Sequence, residues 1–295
     1  MAIYNATAGE SWTDNTNWGS EEPLGNWYGV TTNGEGHVTG ISMTDNNLNG
    51  VLPSDIEDLT YLTNMRLDGH QLSGSIPAEL YAMPNLVTVN LSNNQISGSL
   101  SPLIGSMPAI ENYIVYNNQL TGAIPSEIGN SETLTNLDIG DQSLSGEIPV
   151  ELGLLTNLTY LALRGTDLTG GIPNEICNLE NLQYLYLDQN ELSGEIPADI
   201  GLLSGLINLW IDNNNLTGSL PTDIVASMPN LVSFVFNSNK FDEIPEDFQF
   251  FGAESVPAEN NDFTFEDLQN LPQVATYDPQ NTINIYDTIY LETGV

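Results

Sequence analysis

Four aromatic residues recur at a fixed interval along the chain, in a pattern that favours molecular recognition. Tyr184 follows Tyr160 at the same interval at which Trp210 follows Tyr186. Exposed aromatic rings beside polar groups bind sugar rings or form energetic hot spots for peptides. The chemistry that these residue types offer is therefore reversible binding.

Charged and aromatic residues at equivalent places in the same period extend this candidate site. They are Arg66, Tyr116, Arg164, Asp188 and Asp212. Two of the three basic residues of the chain are in this set, although the sequence otherwise avoids positive charge. Together with the four aromatic residues, they are the predicted ligand-binding residues. The alternative interpretation is that aromatic residues simply suit β-strands and that two arginines are a small sample.

Residues suited to catalysis or to tight metal binding are scarce. The only histidines are His37 and His70, and neither adjoins a nucleophile motif. The single Cys177 can form neither an internal disulfide nor a zinc cluster. The sequence contains no EF-hand loop, zinc-protease motif or glycine-rich phosphate loop. We therefore expect no catalytic residue, no metal site and no cofactor, and a protein that is not an enzyme.

The overall charge argues against two further classes of function. The chain has 3 Lys and Arg against 39 Asp and Glu, a formal net charge of -36 and a pI of about 4.1. Nucleic-acid binding draws on Lys and Arg side chains that neutralise phosphates, so we expect no nucleic-acid partner. No apolar run reaches the length of about 18 residues that a membrane span needs, so we also expect no membrane insertion.

An internal repeat of about 24 residues organises most of the chain. Its first apolar position is occupied by Leu62, Leu86, Ile110, Leu134, Leu158, Leu182 and Leu206. The block that begins at Leu182 reads LxxLxLxxNxLxGxIPxxIxxL. About ten copies occupy residues 38–271, and the last two are irregular. A repeat of this length predicts a solenoid, in which each copy buries its apolar edge against its neighbours.

Each position of the repeat has a physical role. The LxxLxL segment alternates apolar and polar residues, which predicts a short strand with one buried face. The asparagine that follows can hydrogen-bond backbone groups of adjacent turns, and His70, Gln142 and Thr166 replace it in three copies. Glycine then permits a tight turn, and proline fixes the next backbone angle. Polar side chains between the leucines, including the candidate site, are expected on the concave face.

The repeat resembles that of the plant-type leucine-rich-repeat family over roughly residues 38–250. The segment WYGV at residues 27–30, followed by VTGI at residues 38–41, is similar to the cap that precedes such repeats. The resemblance implies an α/β repeat solenoid. In detail, it implies a right-handed superhelix with a parallel β-sheet on the concave face and mostly 3-10 or irregular segments on the convex side. It also implies an extracellular recognition or adhesion module that binds a protein, a peptide or a glycan.

The two ends of the chain are expected to differ from the repeats. Residues 1–37 are predicted to form an N-terminal aromatic cap, in which Trp12, Trp18 and Trp27 close the first repeat. Plant members of the family carry cysteine pairs in this cap, and this chain has none there, so it more closely resembles repeat modules of secreted bacterial surface proteins. Residues 272–295 are expected to be a tail or the start of a following β module.

The resemblance also sets expectations for where the protein works. We expect a secreted or cell-surface protein whose signal peptide has been trimmed from this chain. We also expect a monomer.

Two alternative functions are kept beside recognition at the concave face. A polar ladder precedes the repeat glycines and consists of Asn49, Ser73, Ser97, Thr121, Ser145, Thr169, Ser193 and Thr217. A regular hydroxyl ladder can match a repeating surface such as ice or a crystalline polysaccharide. The second alternative is a structural spacer in a longer surface protein, which no sequence feature excludes.

Overall fold

The protein is built as a stack of similar turns, and the computed structural model describes residues 1–222, 224–250 and 257–263. Each regular repeat forms a short strand, a second short strand and a helical segment that leads into the next turn. The alternating LxxLxL residues favour a strand because one of its faces is buried. The predicted solenoid with a parallel sheet is confirmed.

Ten strands form one continuous sheet along the stack. They are β1 Val30–Thr32, β2 Val38–Ser42, β4 Asn64–Arg66, β6 Thr88–Asn90, β8 Asn112–Ile114, β10 Asn136–Asp138, β12 Tyr160–Ala162, β14 Tyr184–Tyr186, β16 Asn208–Trp210 and β18 Ser233–Val235, numbered in chain order with the strands of the next paragraph. Strands β1 and β2 pair antiparallel, and the later neighbours pair parallel. Neighbouring strands lie about 4.8 Å apart, which is closer than the helical segments on the opposite side can pack. The stack therefore curves towards the strands, and we call this sheet the concave sheet.

A second set of short strands lies further along each turn. They are β3 Asn49–Val51, β5 Gln71–Gly74, β7 Gln95–Gly98, β9 Gln119–Leu120, β11 Ser145–Glu147, β13 Asp167–Thr169, β15 Ser193–Gly194, β17 Asn215–Ser219 and β19 Lys240–Glu243. They form sheets of four, two and three strands. In the concave sheet, Tyr160 pairs with Tyr184, which is its equivalent in the next repeat. In the second set, Ser73 pairs with Gln95 and not with its equivalent, so these strands are staggered.

Short helices cover the side opposite the concave sheet. They are the 3-10 helices Ser54–Asp58, Ala78–Ala82, Pro102–Ser106, Ser126–Asn130, Val150–Leu154, Asn174–Asn178, Ala198–Leu202 and Glu246–Phe250, and the α-helix Ile224–Ser227. The N-terminal cap adds the α-helix Ala2–Ala6 and the 3-10 helices Gly9–Ser11 and Leu24–Asn26. Nearly every helix of the repeats begins at or directly after a proline, which suits this place because it fixes φ and has no N–H to leave unpaired.

Buried asparagine side chains tie each turn to its neighbours. The Asn190 Nδ2 donates to the carbonyl oxygens of Leu163 and Leu187, at 2.9 and 3.1 Å. Its Oδ1 accepts from the backbone nitrogen of Leu168 at 3.2 Å. Equivalent bonds are made by Asn94, Asn118, Asn214 and Asn239. They satisfy backbone groups inside the stack, which would otherwise be buried without partners.

The residues that replace asparagine also form hydrogen bonds inside the stack. The His70 Nδ1 accepts from the backbone nitrogen of Asn46 at 3.1 Å, and its Nε2 lies 3.0 Å from the carbonyl oxygen of Met43. Both bonds fit a neutral imidazole with its proton on Nε2, and burial lowers the pKa of His70 accordingly. Gln142 and Thr166 also donate to carbonyl oxygens of the stack.

The N-terminal cap closes the first repeat with tryptophan. Trp12 and Trp27 are buried, and the Trp18 ring lies between them, with centroid distances of 4.9 and 5.1 Å. Gly50 permits this docking, because a Cβ there would collide with the carbonyl of Ala6 and because its φ is +142°. Close approach of cap and repeat therefore depends on a glycine as well as on apolar burial.

Phenylalanine replaces the leucines towards the C-terminal end of the described chain. Phe234, Phe236, Phe241 and Phe248 are fully buried. The asparagine ladder continues at Asn261, whose Nδ2 donates to the Phe236 carbonyl oxygen at 3.3 Å. The predicted tail or β module at residues 272–295 lies outside the described residues.

Loss of one ladder asparagine should destabilise the stack strongly. We expect Asn214→Ala to lower the free energy of unfolding by about 2–4 kcal/mol, because it leaves buried backbone groups of two turns without partners. Urea unfolding followed by circular dichroism measures the change. Asn174→Ala, at an exposed asparagine of a convex helix, is the control and should change stability by less than about 0.5 kcal/mol. A similar small change for Asn214→Ala would contradict the role assigned to the ladder.

Candidate ligand-binding site

Three neighbouring strands of the concave sheet carry the predicted aromatic residues. In β12, β14 and β16, the central leucine points into the core and the residues beside it point outwards. The buried leucines are Leu161, Leu185 and Leu209. Tyr160, Tyr184, Tyr186 and Trp210 project from the opposite face and are partly exposed. We call these four residues the aromatic patch.

The rings of the aromatic patch contact one another across the strands. The ring centroids of Tyr160 and Tyr186 are 5.5 Å apart, and those of Tyr186 and Trp210 are 4.9 Å apart in an edge-to-face arrangement. Tyr184 lies 5.8 Å from Tyr160 and 6.4 Å from Tyr186. These separations lie within the favourable range for aromatic pairs, so the rings form one continuous surface.

Two hydrogen bonds fix the polar ends of these rings. The Asn208 Nδ2 donates to the Tyr186 hydroxyl at 3.0 Å. The Trp210 Nε1 donates to the Ser233 Oγ at 3.0 Å. Each bond crosses from one strand to the next, and a ring held in this way loses little conformational entropy when a ligand binds.

Arg164 lies beside the patch and is directed towards the preceding repeat. Its Nη2 is 3.4 Å from the Asp141 Oδ2. Gly140 makes this direction possible, because a Cβ there would lie within 3.2 Å of the Arg164 Cγ and 2.7 Å from its carbonyl oxygen. The guanidinium group is therefore paired within the protein and lies on the side of Asp141.

Asp138 forms part of the same surface and has an unusual ionisation. Burial raises its pKa to about 6, and the charge of Asp141 contributes in the same direction. Hydrogen bonds from the Gly140 backbone and from Tyr160, together with the charge of Arg164, act in the opposite direction without cancelling this effect. Burial also raises the pKa of Tyr160, so that its hydroxyl stays protonated and can donate.

Two predicted acidic residues follow the patch along the stack. Asp188 is 3% exposed, and burial together with the charge of Asp212 raises its pKa to about 6. Burial raises the pKa of Asp212 as well, although the Asn213 side chain donates to it at 2.6 Å. The Asp188 Oδ2 accepts from the Gln189 Nε2 at 3.2 Å, whereas its buried Oδ1 accepts no hydrogen bond.

The other two predicted residues lie further along the concave sheet. Tyr116 follows β8, and its hydroxyl accepts from the Asn93 Nδ2 at 3.1 Å. Its proximity to Tyr160 is enough to contribute to the raised pKa of that residue. Arg66 lies on β4, four strands from β12 and therefore about 19 Å away along the sheet. The structure groups seven of the nine predicted residues closely, places Tyr116 at their edge and separates Arg66 from them.

Three residues of the site are not among those predicted from sequence. Asp138 and Asn208 occupy outward positions of the strands, and their periodicity could have identified them. Asp141 lies just after such a position, with a φ of +53°. The repeat pattern carries no signal for it, because its role depends on the direction that Gly140 gives to Arg164.

The predicted ladder of small polar residues lies on the second set of strands and not on the concave sheet. Hydroxyls of Ser73, Thr121 and Thr169 donate to glycine carbonyl oxygens of the preceding repeat, at 3.2, 3.3 and 3.3 Å. Because Ser73 pairs with Gln95, hydroxyls of successive repeats are not directly opposite each other. The ladder therefore runs diagonally across the second set of strands, and several of its hydroxyls donate to backbone carbonyl oxygens.

Other candidate chemistry is sparse in the part of the chain that the structure describes. Within residues 1–222, 224–250 and 257–263, no group of three His, Cys, Asp or Glu residues could hold a metal ion. No helix in these ranges is long and apolar enough to cross a membrane. Cys177 is buried, and burial raises the pKa of its thiol to about 11.

Comparison with known proteins defines the class of the fold. A family model described as Leucine Rich Repeat matches residues 85–107, 157–179, 181–203 and 205–226. The chain is similar to the leucine-rich-repeat ectodomain of the membrane receptor kinase GASSHO1/SCHENGEN3 from Arabidopsis thaliana, with 29% identity and a TM-score of 0.78 over 84% of this chain and 31% of that one. The protein is therefore a leucine-rich-repeat solenoid.

Two further structures show how widely this fold is used. The plant peptide hormone receptor RGFR1 is 28% identical, with a TM-score of 0.70 over 79% of this chain and 38% of that one. A plant ice-binding protein has the same TM-score at 21% identity, over 93% and 96% of the two chains, which shows a shared fold alone. This chain spans about a third of the length of the two receptor ectodomains. No curated protein sequence matches it.

The buried carboxylate of Asp188 should lower stability above its folded-state pKa. That pKa is about 6, against an ordinary value of 3.8, so the folded state takes up a proton between these values and gains stability as the pH falls through this window. Asparagine has no charge to bury. We expect Asp188→Asn to raise the free energy of unfolding by about 1–3 kcal/mol at about pH 7.5 and to leave it almost unchanged near about pH 4.

Urea unfolding at the two pH values measures this difference. The control is Glu191→Gln, which removes an exposed carboxylate from the same repeat. An equal stabilisation by Asp188→Asn at both pH values would contradict a cost that arises from ionisation.

Proposed function

We propose that the protein is a recognition module that binds an extended peptide segment across the concave sheet. The observation that carries this proposal is the aromatic patch, four partly exposed rings that contact one another on three adjacent strands. Rings that are already ordered provide a large apolar contact area with little further loss of entropy. The sheet beneath is held by buried leucines, so the contact surface is rigid before binding.

Peptide is favoured over glycan by the similarity to receptors. The GASSHO1/SCHENGEN3 ectodomain was solved in complex with CASPARIAN STRIP INTEGRITY FACTOR 2, and RGFR1 is a peptide hormone receptor solved in complex with RGF2. Both use a repeat solenoid of this kind, although this chain spans only about a third of their length. We extend peptide binding from RGFR1 to this chain as a proposal, with the aromatic patch as its site.

The proposed setting is the cell surface or the extracellular space. Similarity to receptor ectodomains supports it, together with a strongly acidic composition that suits salty surroundings. We propose binding without catalysis, by a monomer, in a repeat of the plant-type class. The likeness to bacterial surface modules belongs to the same proposal and rests on the cysteine-free N-terminal cap.

Removal of two rings from the patch should abolish peptide binding. We expect the purified chain to bind a subset of a random hexapeptide array, and the double variant Tyr186→Ala with Trp210→Ala to lose about 2 kcal/mol or more of binding free energy for those peptides. A glycan array probed in parallel tests the other ligand class.

The control removes two exposed tyrosines elsewhere. Tyr28 and Tyr61 are 36% and 47% exposed and lie outside the patch. The double variant Tyr28→Ala with Tyr61→Ala should bind as the unaltered chain does. Peptide binding that survives the loss of Tyr186 and Trp210 would sink the site, and binding to glycans alone would replace the ligand class.

Ice binding is the second candidate function, because a plant ice-binding protein of nearly the same length shares the fold. The hydroxyl ladder is the surface on which it would depend, yet several of its donors bond to carbonyl oxygens of the preceding repeat. We therefore expect no thermal hysteresis and no shaping of ice crystals. Measured hysteresis that Thr121→Val with Thr169→Val removes would establish this function instead. A chain that binds neither peptides, glycans nor ice would be a spacer.

A further inference from the structure

One oxygen of a buried carboxylate in the proposed site lacks a partner. The Asp188 side chain belongs to a residue that is only 3% exposed, and its Oδ1 accepts no hydrogen bond from another residue. Buried polar atoms in folded proteins are almost always paired, and an unpaired one requires a specific explanation. The other oxygen, Oδ2, accepts a hydrogen bond from the exposed side chain of Gln189.

The basic residue of the preceding repeat is engaged elsewhere. Arg164 precedes Asp188 by one repeat, and its charge does lower the pKa of Asp188 slightly. Its guanidinium group nevertheless pairs with Asp141 on the opposite side, over the space that Gly140 leaves open. Within the residues that the structure describes, no ion pair joins Asp188 or Asp212 to a basic side chain.

Negative charge continues beyond Asp188 along the same line of the sheet. Asp212 is the equivalent residue of the next repeat, and its charge raises the pKa of Asp188. Glu259 acts on Asp212 in the same way from further along the stack. Tyr186 and Trp210 precede Asp188 and Asp212 by two residues, so strand alternation directs these side chains to the same side of the sheet. An acidic rim therefore borders an aromatic floor.

We propose that Asp188 and Asp212 form a subsite for a cationic group of the ligand, a lysine ammonium or an arginine guanidinium, whose apolar stem packs on Tyr186 and Trp210. This inference rests on the proposed function, since the ligand is the peptide that crosses the aromatic patch. The Gln189 side chain, which now donates to Oδ2, moves aside, so that the cation reaches both carboxylate oxygens of Asp188, including the unpaired Oδ1. Lysine and arginine suit such a site, because an apolar stem and a charged end contact different surfaces.

The composition of the whole protein supports a basic ligand. A net charge of -36 attracts cationic peptides over long range and repels acidic ones. Long-range attraction alone would not distinguish one face of the solenoid from another. The unpaired Asp188 oxygen, placed next to exposed rings, is what assigns the cation to this subsite.

Paired peptides test the proposal directly. The probe is an array of hexapeptides that each contain one lysine or arginine, spotted beside twins in which norleucine replaces lysine or citrulline replaces arginine. The unaltered chain should bind the charged member at least about tenfold more tightly than its twin at low salt. In the double variant Asp188→Asn with Asp212→Asn, this preference should fall below about threefold, while binding to the neutral twins persists.

The control variant makes the same change of charge elsewhere. Glu127 and Glu175 are exposed on convex helices, and Glu127→Gln with Glu175→Gln should keep the preference for the charged peptides. Equal binding of charged and neutral twins by the unaltered chain would overturn the cationic subsite but leave the aromatic patch standing. The cationic subsite would also be overturned if the Asp188→Asn and Asp212→Asn double variant kept the preference for charged peptides. No binding to any peptide would overturn the proposed function and this inference together.

Discussion

Hydrogen bonds from a recurring asparagine side chain hold most of the repeats together, and the other features of the structure follow from them. Its amide nitrogen donates to carbonyl oxygens of its own turn and of the preceding one, as Asn190 does to Leu187 and Leu163. Its oxygen accepts from a backbone nitrogen of the preceding repeat. Because one side chain serves two turns, successive turns must have nearly the same length and shape. The constant sequence spacing between paired residues from β2 to β16 follows from this requirement.

Constant spacing turns a pattern along the sequence into a surface. Residues one repeat apart become neighbours in adjacent strands, so Tyr184 lies beside Tyr160 and Trp210 beside Tyr186. A single turn could not hold such a surface rigid, but each turn of the stack packs against the turns on both sides. The same geometry aligns Asp188 with Asp212, so that burial first and then the charge of Asp212 raise the pKa of Asp188. Stacking therefore creates both the apolar floor of the site and its electrostatic strain.

The fold alone does not select a function. A receptor kinase ectodomain, a peptide hormone receptor and an ice-binding protein share this architecture. They can differ because the buried residues hold the solenoid together, whereas the outward residues are free to vary. In this protein, the outward residues of the concave sheet are aromatic and acidic in one region, and the second set of strands carries small hydroxyl side chains that bond to the backbone. Chemistry suited to a ligand is thus concentrated on the concave sheet.

The repeat length, the first strand of each turn, its helical convex side and the face on which the candidate residues lie could be predicted from the sequence, whereas the second strand of each turn could not. The predictable features follow from local periodicity, repeated many times. The sequence also identified His70, Gln142 and Thr166 as substitutes for asparagine, since each can donate or accept at a buried place. Two features of the site became visible only in the tertiary structure. The Arg164 side chain passes over Gly140 and forms an ion pair with Asp141, and one oxygen of Asp188 has no partner. The stagger of the second set of strands, which makes the hydroxyl ladder run diagonally, is likewise visible only in the structure. These outcomes depend on side-chain directions and contacts between turns, which a pattern of residue types along the chain does not encode.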